Sequence, residues 1–174
     1  EKQNNIFSSI KEKFNYTNVS QSPKIEKVIV SVGVGSTKDK KKIETVIDRL
    51  TKITGQKPSA RPAKKSIATF KLREGDIVGY QVTLRGNRMY DFLDKLIHIA
   101  LPRTRDFRGI KLSSIDDMGN ISIGIKENTI FPETSDEELR DVFGFTVTIT
   151  TSSKNREETE ELLRGVGFPL RKKD

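Results

Sequence analysis

Apolar positions along this chain recur with two periods. Between Val142 and Thr151, Phe143, Phe145, Val147 and Ile149 alternate with small or polar residues. That spacing predicts an antiparallel strand buried on one face only. Asn120 to Ile125 alternates in the same way, and Ile25 to Val34 is rich in β-branched residues and ends at Gly33 and Gly35. Ser66 to Leu72 and Val78 to Leu84 read as two further strands around a turn at Glu74-Gly75-Asp76, with Pro58 and Pro62 marking the loop before them.

The other period is helical. Ile6, Phe7, Ile10 and Phe14 predict a short amphipathic helix within Asn4 to Tyr16, ending near Asn15. Lys38 to Thr54 places Ile43, Val46, Ile47, Leu50 and Ile53 on one face, with Gly55 as the stop. Asn87 caps a helix whose face is Tyr90, Leu93, Leu96, Ile97 and Ala100, and Pro102 ends it. Glu157 to Leu163 is a last helix, stopped by Gly165 and Gly167. Helices and strands come in mixed order. The expected fold is therefore α+β: one domain over residues 1–174, a largely antiparallel sheet with helices packed on it. Residues 1–22 form an N-terminal helix and linker, and 103–120, long and weakly patterned, form a projecting loop region.

Composition adds a partner class. Of the 174 residues, 33% are hydrophobic and 32% charged, with a net charge of +8. Residues 1–111 carry 24 Lys/Arg against 11 Asp/Glu, whereas 112–170 carry 5 against 12. Basic charge gathered in one part of a chain is the footprint of a polyanionic partner. Arg49, Lys52, Lys57, Arg61, Lys64, Lys65, Lys71 and Arg73 follow one another with no acid between them. No run of about 20 apolar residues occurs, so no membrane span is expected.

Catalytic chemistry is missing. There is no cysteine, and the single histidine, His98, sits inside a helix with no nucleophile and orienting group to pair with. Val32-Gly33-Val34-Gly35-Ser36-Thr37-Lys38 has neither the third glycine of a dinucleotide fingerprint nor the P-loop spacing, and reads as a tight strand-to-helix turn. Asp116, Asp117, Glu133, Asp136, Glu137 and Glu138 lack the alternation of a calcium loop. No enzyme activity, metal or cofactor is expected.

What the chain does offer suits RNA. Lys64, Lys65, Lys71, Arg73, Arg85 and Arg88 flank and populate the expected hairpin, with Gln56, Thr69 and Thr83 as uncharged donors and acceptors nearby. Aromatics make up only 7%, with no Trp, which favours recognition of shape and backbone over base stacking. The competing class is a free-standing module whose basic face meets an acidic protein.

An ordered series of short stretches makes the RNA reading specific. It runs through Gly33-Val34-Gly35, Thr54-Gly55-Gln56-Lys57-Pro58, Lys64-Lys65-Ser66-Ile67-Ala68, Phe70-Lys71-Leu72-Arg73-Glu74-Gly75 and Val82-Thr83-Leu84-Arg85-Gly86. It continues through Arg105-Asp106-Phe107-Arg108-Gly109, Gly119-Asn120, Ile130-Phe131-Pro132-Glu133 and Gly167-Phe168-Pro169. The series resembles the ribosomal protein L-five family, bacterial or organellar in type, over nearly the whole chain. The resemblance implies a cytoplasmic structural constituent of the large ribosomal subunit that binds 5S rRNA in the central protuberance and has no membrane partner. It implies rRNA-binding roles for Lys27, Ser31, Gln56 and Thr83, to which the basic run adds Lys64 and Lys65. It implies a loop facing P-site tRNA at Arg73, Glu74, Gly75, Asp76, Ile77, Val78 and Gly79. It also implies an intersubunit bridge to a small-subunit head protein around Phe107, Arg108, Asp116, Asp117 and Asn120, with large-subunit rRNA and neighbouring large-subunit proteins as further partners.

Three positions depart from the family pattern. Ser31 stands where the family usually has Asn, keeping a hydroxyl but losing the amide's paired donor and acceptor. Pro62 replaces a usual cation, and Asp76-Ile77-Val78 brings a negative charge into the loop expected to face tRNA. Weaker tRNA contact is the expected consequence.

Overall fold

Strand β1 (Ile25–Gly33) is the middle of a five-stranded sheet and shows why the sheet has two unlike faces. Val28, Val30 and Val32 are buried, while Lys27, Ile29 and Ser31 between them are only half-buried. Successive side chains of a strand point to opposite faces, so one face carries the core and the other stays open. The computed structural model describes residues 10–11, 13–35, 39–134 and 142–171. Within these the other elements are α1 (Lys40–Thr54), β2 (Ser59–Pro62), β3 (Ile77–Leu84), α2 (Gly86–Lys95), β4 (Ile121–Ile125), β5 (Phe145–Thr151) and α3 (Arg156–Val166). The strand order is β2-β3-β1-β5-β4, with every pairing antiparallel. The α+β expectation holds.

The helices begin and end where local chemistry supplies partners. Asp39 caps α1 by accepting from the Lys41 N–H at 3.0 Å, and Gly55 closes it at φ 69°. Gly167, at φ 100°, closes α3. Residues 10, 11, 13 and 14 are helical, and Asn15 ends that turn at φ 53°. Ile6 and Phe7 of that expected helix lie outside the described residues, as do Ser36, Thr37, Lys38, Asp136, Glu137 and Glu138.

The core gathers on the inner face, from Val30, Val82, Ile123 and Ile149 on strands to Leu50, Leu93 and Leu163 on helices. Phe131, fully buried, stacks on Phe92 of α2 at 6.0 Å and meets Phe145 of β5 at 5.9 Å. Lys95 fastens the same corner. Its Nζ donates to the Ile53 carbonyl at 2.9 Å, pairs with Glu133 at 2.6 Å and lies 5.9 Å from the Phe131 ring centre.

Several expectations need correction. Ser66 to Leu72 is not a strand. Ala68–Phe70 is a 3₁₀ turn, Lys71 sits at φ 51°, and a single bridge joins Ile67 to Leu72. The apolar residues of this stretch have no core to pack on, Ile67 and Phe70 staying exposed, and the strand beside β3 is instead Ser59–Pro62, expected from its prolines to be a loop. Pro62 is tolerated because β2 is an edge strand. Pro102 does not stop its helix either. After α2 the chain continues through a π-helical stretch, Leu96–Ala100, into Leu101–Arg103. There the Leu101 N–H reaches back five residues to the Leu96 carbonyl, and the wider turn accommodates the proline ring. β5 starts at Phe145 because the Phe143 N–H is taken by the Asn128 side chain at 3.2 Å.

The weakly patterned stretch 103–120 is tied down at single points. The Ile110 N–H donates to the Pro169 carbonyl and the Arg171 N–H returns to that of Ile110, at 2.8 and 2.9 Å. The Gly119 carbonyl accepts from the hydroxyls of Thr151 and Thr159 at 2.6 and 3.0 Å.

The sheet packing is testable at two glycines that face each other. A Cβ at Gly79 would lie 2.6 Å from the Val32 carbonyl oxygen, whereas one at its partner Gly33 would meet nothing within 4 Å. Gly79→Ala should therefore cost about 1–3 kcal/mol in urea unfolding, the usual range for forced overpacking, and Gly33→Ala should cost far less. Equal costs would contradict the close approach of β3 to β1.

A second expected outcome concerns Tyr16. Burial, followed by a hydrogen bond to the Glu158 carboxylate and the charge on that group, pushes its phenol up from 10.0 to about 12. The folded pKa lies above the unfolded one, so the neutral phenol stabilises the fold fully below pH 10. That contribution disappears as pH rises through about 12. Phenolate absorbance of the wild type minus that of Tyr16→Phe should show this late titration. The same substitution should cost about 1 kcal/mol at neutral pH through the lost hydrogen bond.

Candidate nucleic-acid interface

The open face of the sheet is built from the residues between the core positions. Strand register sets them in rows. Ser59 of β2 lies beside Gln81 of β3, then Ser31 of β1, Thr146 of β5 and Gly124 of β4. The next row is Thr83, Ile29, Thr148 and Ser122, and beyond it Thr150 pairs with Lys27. At the other end Arg61, Gly79 and Gly33 align. Ser122 and Thr148 share a hydrogen bond at 3.1 Å. Among the described residues, the side chains of Ser31, Gln81, Thr83, Thr146 and Thr150 form no hydrogen bond within the chain. Threonine suits this surface because its branched body favours a pleated strand while its hydroxyl faces outward.

Three of the four residues implied by resemblance, Lys27, Ser31 and Thr83, thus stand on one face. Gln56 joins them from the edge. It follows the Gly55 stop of α1, and its Nε2 donates to the Thr83 carbonyl at 3.4 Å, leaving its Oε1 as an acceptor beside the face. Near this corner a cleft of about 400 Å³ is lined by Lys52, Thr54, Arg88, Asp91 and Lys95 among others.

Lys64 and Lys65 are not on the face. They sit on the arm that links β2 to β3, where every residue from Lys64 to Ile77 except the half-buried Leu72 is exposed. The arm is held as a narrow hairpin. The Ala63 N–H donates to the Asp76 carbonyl at 2.8 Å, and the Gly75 N–H donates to the Ala63 carbonyl at 3.0 Å. The Glu74 N–H donates to the Ser66 hydroxyl at 2.9 Å. The Asp76 carboxylate accepts from the Arg73 N–H at 2.8 Å, so the acid that departs from the family pattern closes the turn. Ile77, Val78 and Gly79 already belong to β3, which shortens the loop proper to Arg73–Asp76.

The expected bridge residues fall in two places. Phe107, half-buried, and Arg108, exposed, precede the Ile110 anchor. Asp116 and Asn120 close a turn: Asp116 accepts the Asn120 N–H at 2.6 Å, and Asn120 accepts the Thr151 N–H at 3.3 Å. Asp117 and Met118 form its exposed tip, Met118 being 75% exposed.

Sequence reasoning missed Ser59, Gln81, Thr146, Thr148, Thr150 and Ser122. The alternation of β5 held the signal for the three threonines, because their positions are the polar half of the pattern. Among the described residues, no cluster of three His, Cys, Asp or Glu could hold a metal, and no helix is long and apolar enough to cross a membrane.

A one-sided antiparallel sheet with a hydroxyl-covered outer face and an exposed basic arm defines the class: an α+β protein with a polar open face and a cationic projection. Two family models together span nearly the whole chain: that of ribosomal protein L5 over residues 18–73, and that of the same family's C-terminus over 77–170. The chain is 49% identical over 170 residues to large ribosomal subunit protein uL5 of Ureaplasma urealyticum, covering 97% of this chain and 92% of that one. It is 50% identical over 168 residues to uL5 of Brevibacillus brevis, covering 96% and 93%, and 49% identical over 167 residues to uL5 of Syntrophomonas wolfei, covering 95% and 94%. The chain belongs to the ribosomal protein L5 family, and it is a structural protein, not an enzyme.

If the open face does the binding, removing one hydroxyl from it should separate affinity from stability. Thr83→Val keeps shape and strand preference and loses only a hydroxyl with no partner in the chain. RNA affinity should fall about 3- to 10-fold, the range of one hydrogen bond, with the melting temperature almost unchanged. A large drop in melting temperature would make Thr83 a structural residue instead.

Proposed function

We propose that this protein is a structural constituent of the large ribosomal subunit that binds 5S rRNA through the open face of its sheet. The observation that carries this reading is the grouping of Lys27, Ser31 and Thr83 on that face, with Gln56 fastened to Thr83 at its edge. Half-exposed hydroxyls and amides suit ribose hydroxyls and phosphate oxygens, and cations around them supply the affinity that depends on counterion release. The relatives' shared name, large ribosomal subunit protein, supports the same assignment. In the assembled particle the arm at Arg73–Asp76 faces P-site tRNA, and the segment from Phe107 to Asn120 forms the bridge to a small-subunit head protein. Large-subunit rRNA and neighbouring large-subunit proteins complete the surroundings.

The direct test is binding of the purified chain to 5S rRNA and to a size-matched tRNA across a salt series. Preference for 5S rRNA that survives high salt supports the proposal, and equal, salt-fragile binding to both overturns it. A charge reversal locates the basic surface. Lys64→Glu with Lys65→Glu should weaken 5S rRNA binding by about tenfold or more, given the loss of two phosphate contacts and the gain of repulsion. Lys172→Glu with Lys173→Glu, outside the described residues, should do much less. Equal effects would remove the arm from the RNA surface.

A further inference from the structure

The arm between β2 and β3 carries an aromatic ring in solvent as well as cations. Phe70 is 75% exposed. A lone apolar side chain at a surface needs no explanation. Phe70 is set apart by how firmly its turn is held and by what surrounds it. Residues 68–71 close the hairpin. Just before them Ile67 and Leu72 exchange backbone bonds at 3.0 and 3.2 Å, and within them the Lys71 N–H donates to the Ala68 carbonyl at 3.0 Å. Lys71 takes a left-handed backbone, φ 51°, which its side chain disfavours and glycine would adopt freely. Such strain persists only where the surrounding bonds impose one shape, and it gathers at binding sites.

The surroundings of this turn are cationic. Lys64, Lys65, Lys71 and Arg73 are exposed, and among the described residues none of them forms an ion pair. The acids of the arm are Glu74 and Asp76, and the Asp76 carboxylate is engaged by the Arg73 N–H at 2.8 Å. An apolar partner would use the ring and leave the cations idle. A folded polyanion with no exposed base would use the cations and leave the ring idle. A strand of nucleic acid with an unpaired base offers both halves, since its phosphates meet cations and its base has a flat face for an aromatic ring. Phe70 is the aromatic residue between Ala63 and Ile77.

We propose that Phe70 is a stacking platform for an unpaired RNA base, with Lys71 and the neighbouring cations on the phosphates beside it. The proposal rests on the RNA-binding reading for its choice of polyanion. It concerns the turn that closes the arm, apart from both the sheet face and the Arg73–Asp76 loop. Stacking accepts any base, because every base has a π-face. The contact therefore adds affinity for unpaired RNA without reading its sequence.

The chain has no tryptophan, so Phe70→Trp keeps a flat ring and makes it the only indole reporter in the protein. The probe is a short oligouridylate at low salt, and the control is an abasic ribose-phosphate oligomer of the same length and charge. Oligouridylate should quench the indole emission in a saturable way, and the abasic oligomer should not. In anisotropy titrations of the labelled oligomers, Phe70→Ala should weaken oligouridylate by about fivefold or more, the loss of one stacked base. It should leave abasic binding and the melting temperature unchanged, because the exposed ring supports nothing inside the chain. Phe70→Leu, apolar but not flat, should lose affinity in the same way. Equal quenching by both oligomers, wild-type affinity in Phe70→Ala, or wild-type affinity in Phe70→Leu would each overturn the proposal, the last by reducing the contact to ordinary apolar packing. Failure here with intact, selective 5S rRNA binding leaves the sheet-face reading standing. Base-dependent quenching without 5S selectivity would do the opposite.

Discussion

The structure depends on the pairing of β1 with antiparallel neighbours on both sides. That strand contributes Val28, Val30 and Val32 to the core and Lys27, Ile29 and Ser31 to the open face. Its register with β3 and β5 decides which residues stand beside each of them. Because side-chain direction alternates every residue, a slip of one position would bury Lys27 and Ser31 and expose three valines. The apolar cost of that slip holds the polar rows in place. The geometry of the open face is thus fixed by groups on the opposite side of the sheet.

The same logic explains how segments without a hydrophobic period become ordered. The stretch from 103 to 120 has no amphipathic pattern, and it is held by a few specific bonds and by isolated buried side chains such as Ile110 and Ile115. Gly119 is drawn in so closely that its carbonyl serves two threonine hydroxyls. Such anchors leave the residues between them exposed, as at Asp117 and Met118. An ordered but exposed turn presents its side chains in a fixed arrangement, and a partner that recognises it avoids part of the entropy cost of ordering it.

Much of this was legible in the residues. The helical faces ending at Thr54 and around Leu93, and the strands at Ile25, Ile121 and Phe145, follow directly from hydrophobic period, because burial on one side is what that period encodes. The arm was not legible. Ser66 to Leu72 contains β-favouring residues, but its conformation is set by the positive φ of Lys71 and by bonds between residues on opposite sides of the turn. The continuation of the α2 helix past Pro102 was hidden for a similar reason, since a five-residue backbone bond leaves no trace in composition. Of the candidate site, Lys27, Ser31 and Thr83, three of the residues that the family resemblance implies for rRNA, came together at the sheet face. The neighbouring hydroxyls of β5, Thr146, Thr148 and Thr150, are the polar half of the alternation whose apolar half predicts the strand, and period alone does not tell a polar position that binds from one that is merely solvated.

Charge and hydroxyls are separated in space, and under the RNA binding proposed above that separation has a functional meaning. The acid-poor arm carries Lys64, Lys65, Lys71 and Arg73 in solvent, where each cation is well screened and adds little to folding. Its value lies in long-range attraction of phosphates, which is strong but insensitive to sequence. The sheet face carries little charge and many small donors and acceptors fixed by strand register. Their interactions act only at contact distance and only with a surface of matching shape. A protein that collected its RNA through the arm alone would bind any polyanion, and one that relied on the face alone would associate slowly. In the proposed function, mounting the exposed source of attraction beside the rigid source of discrimination is what lets one chain associate rapidly and still hold a single orientation on a folded RNA.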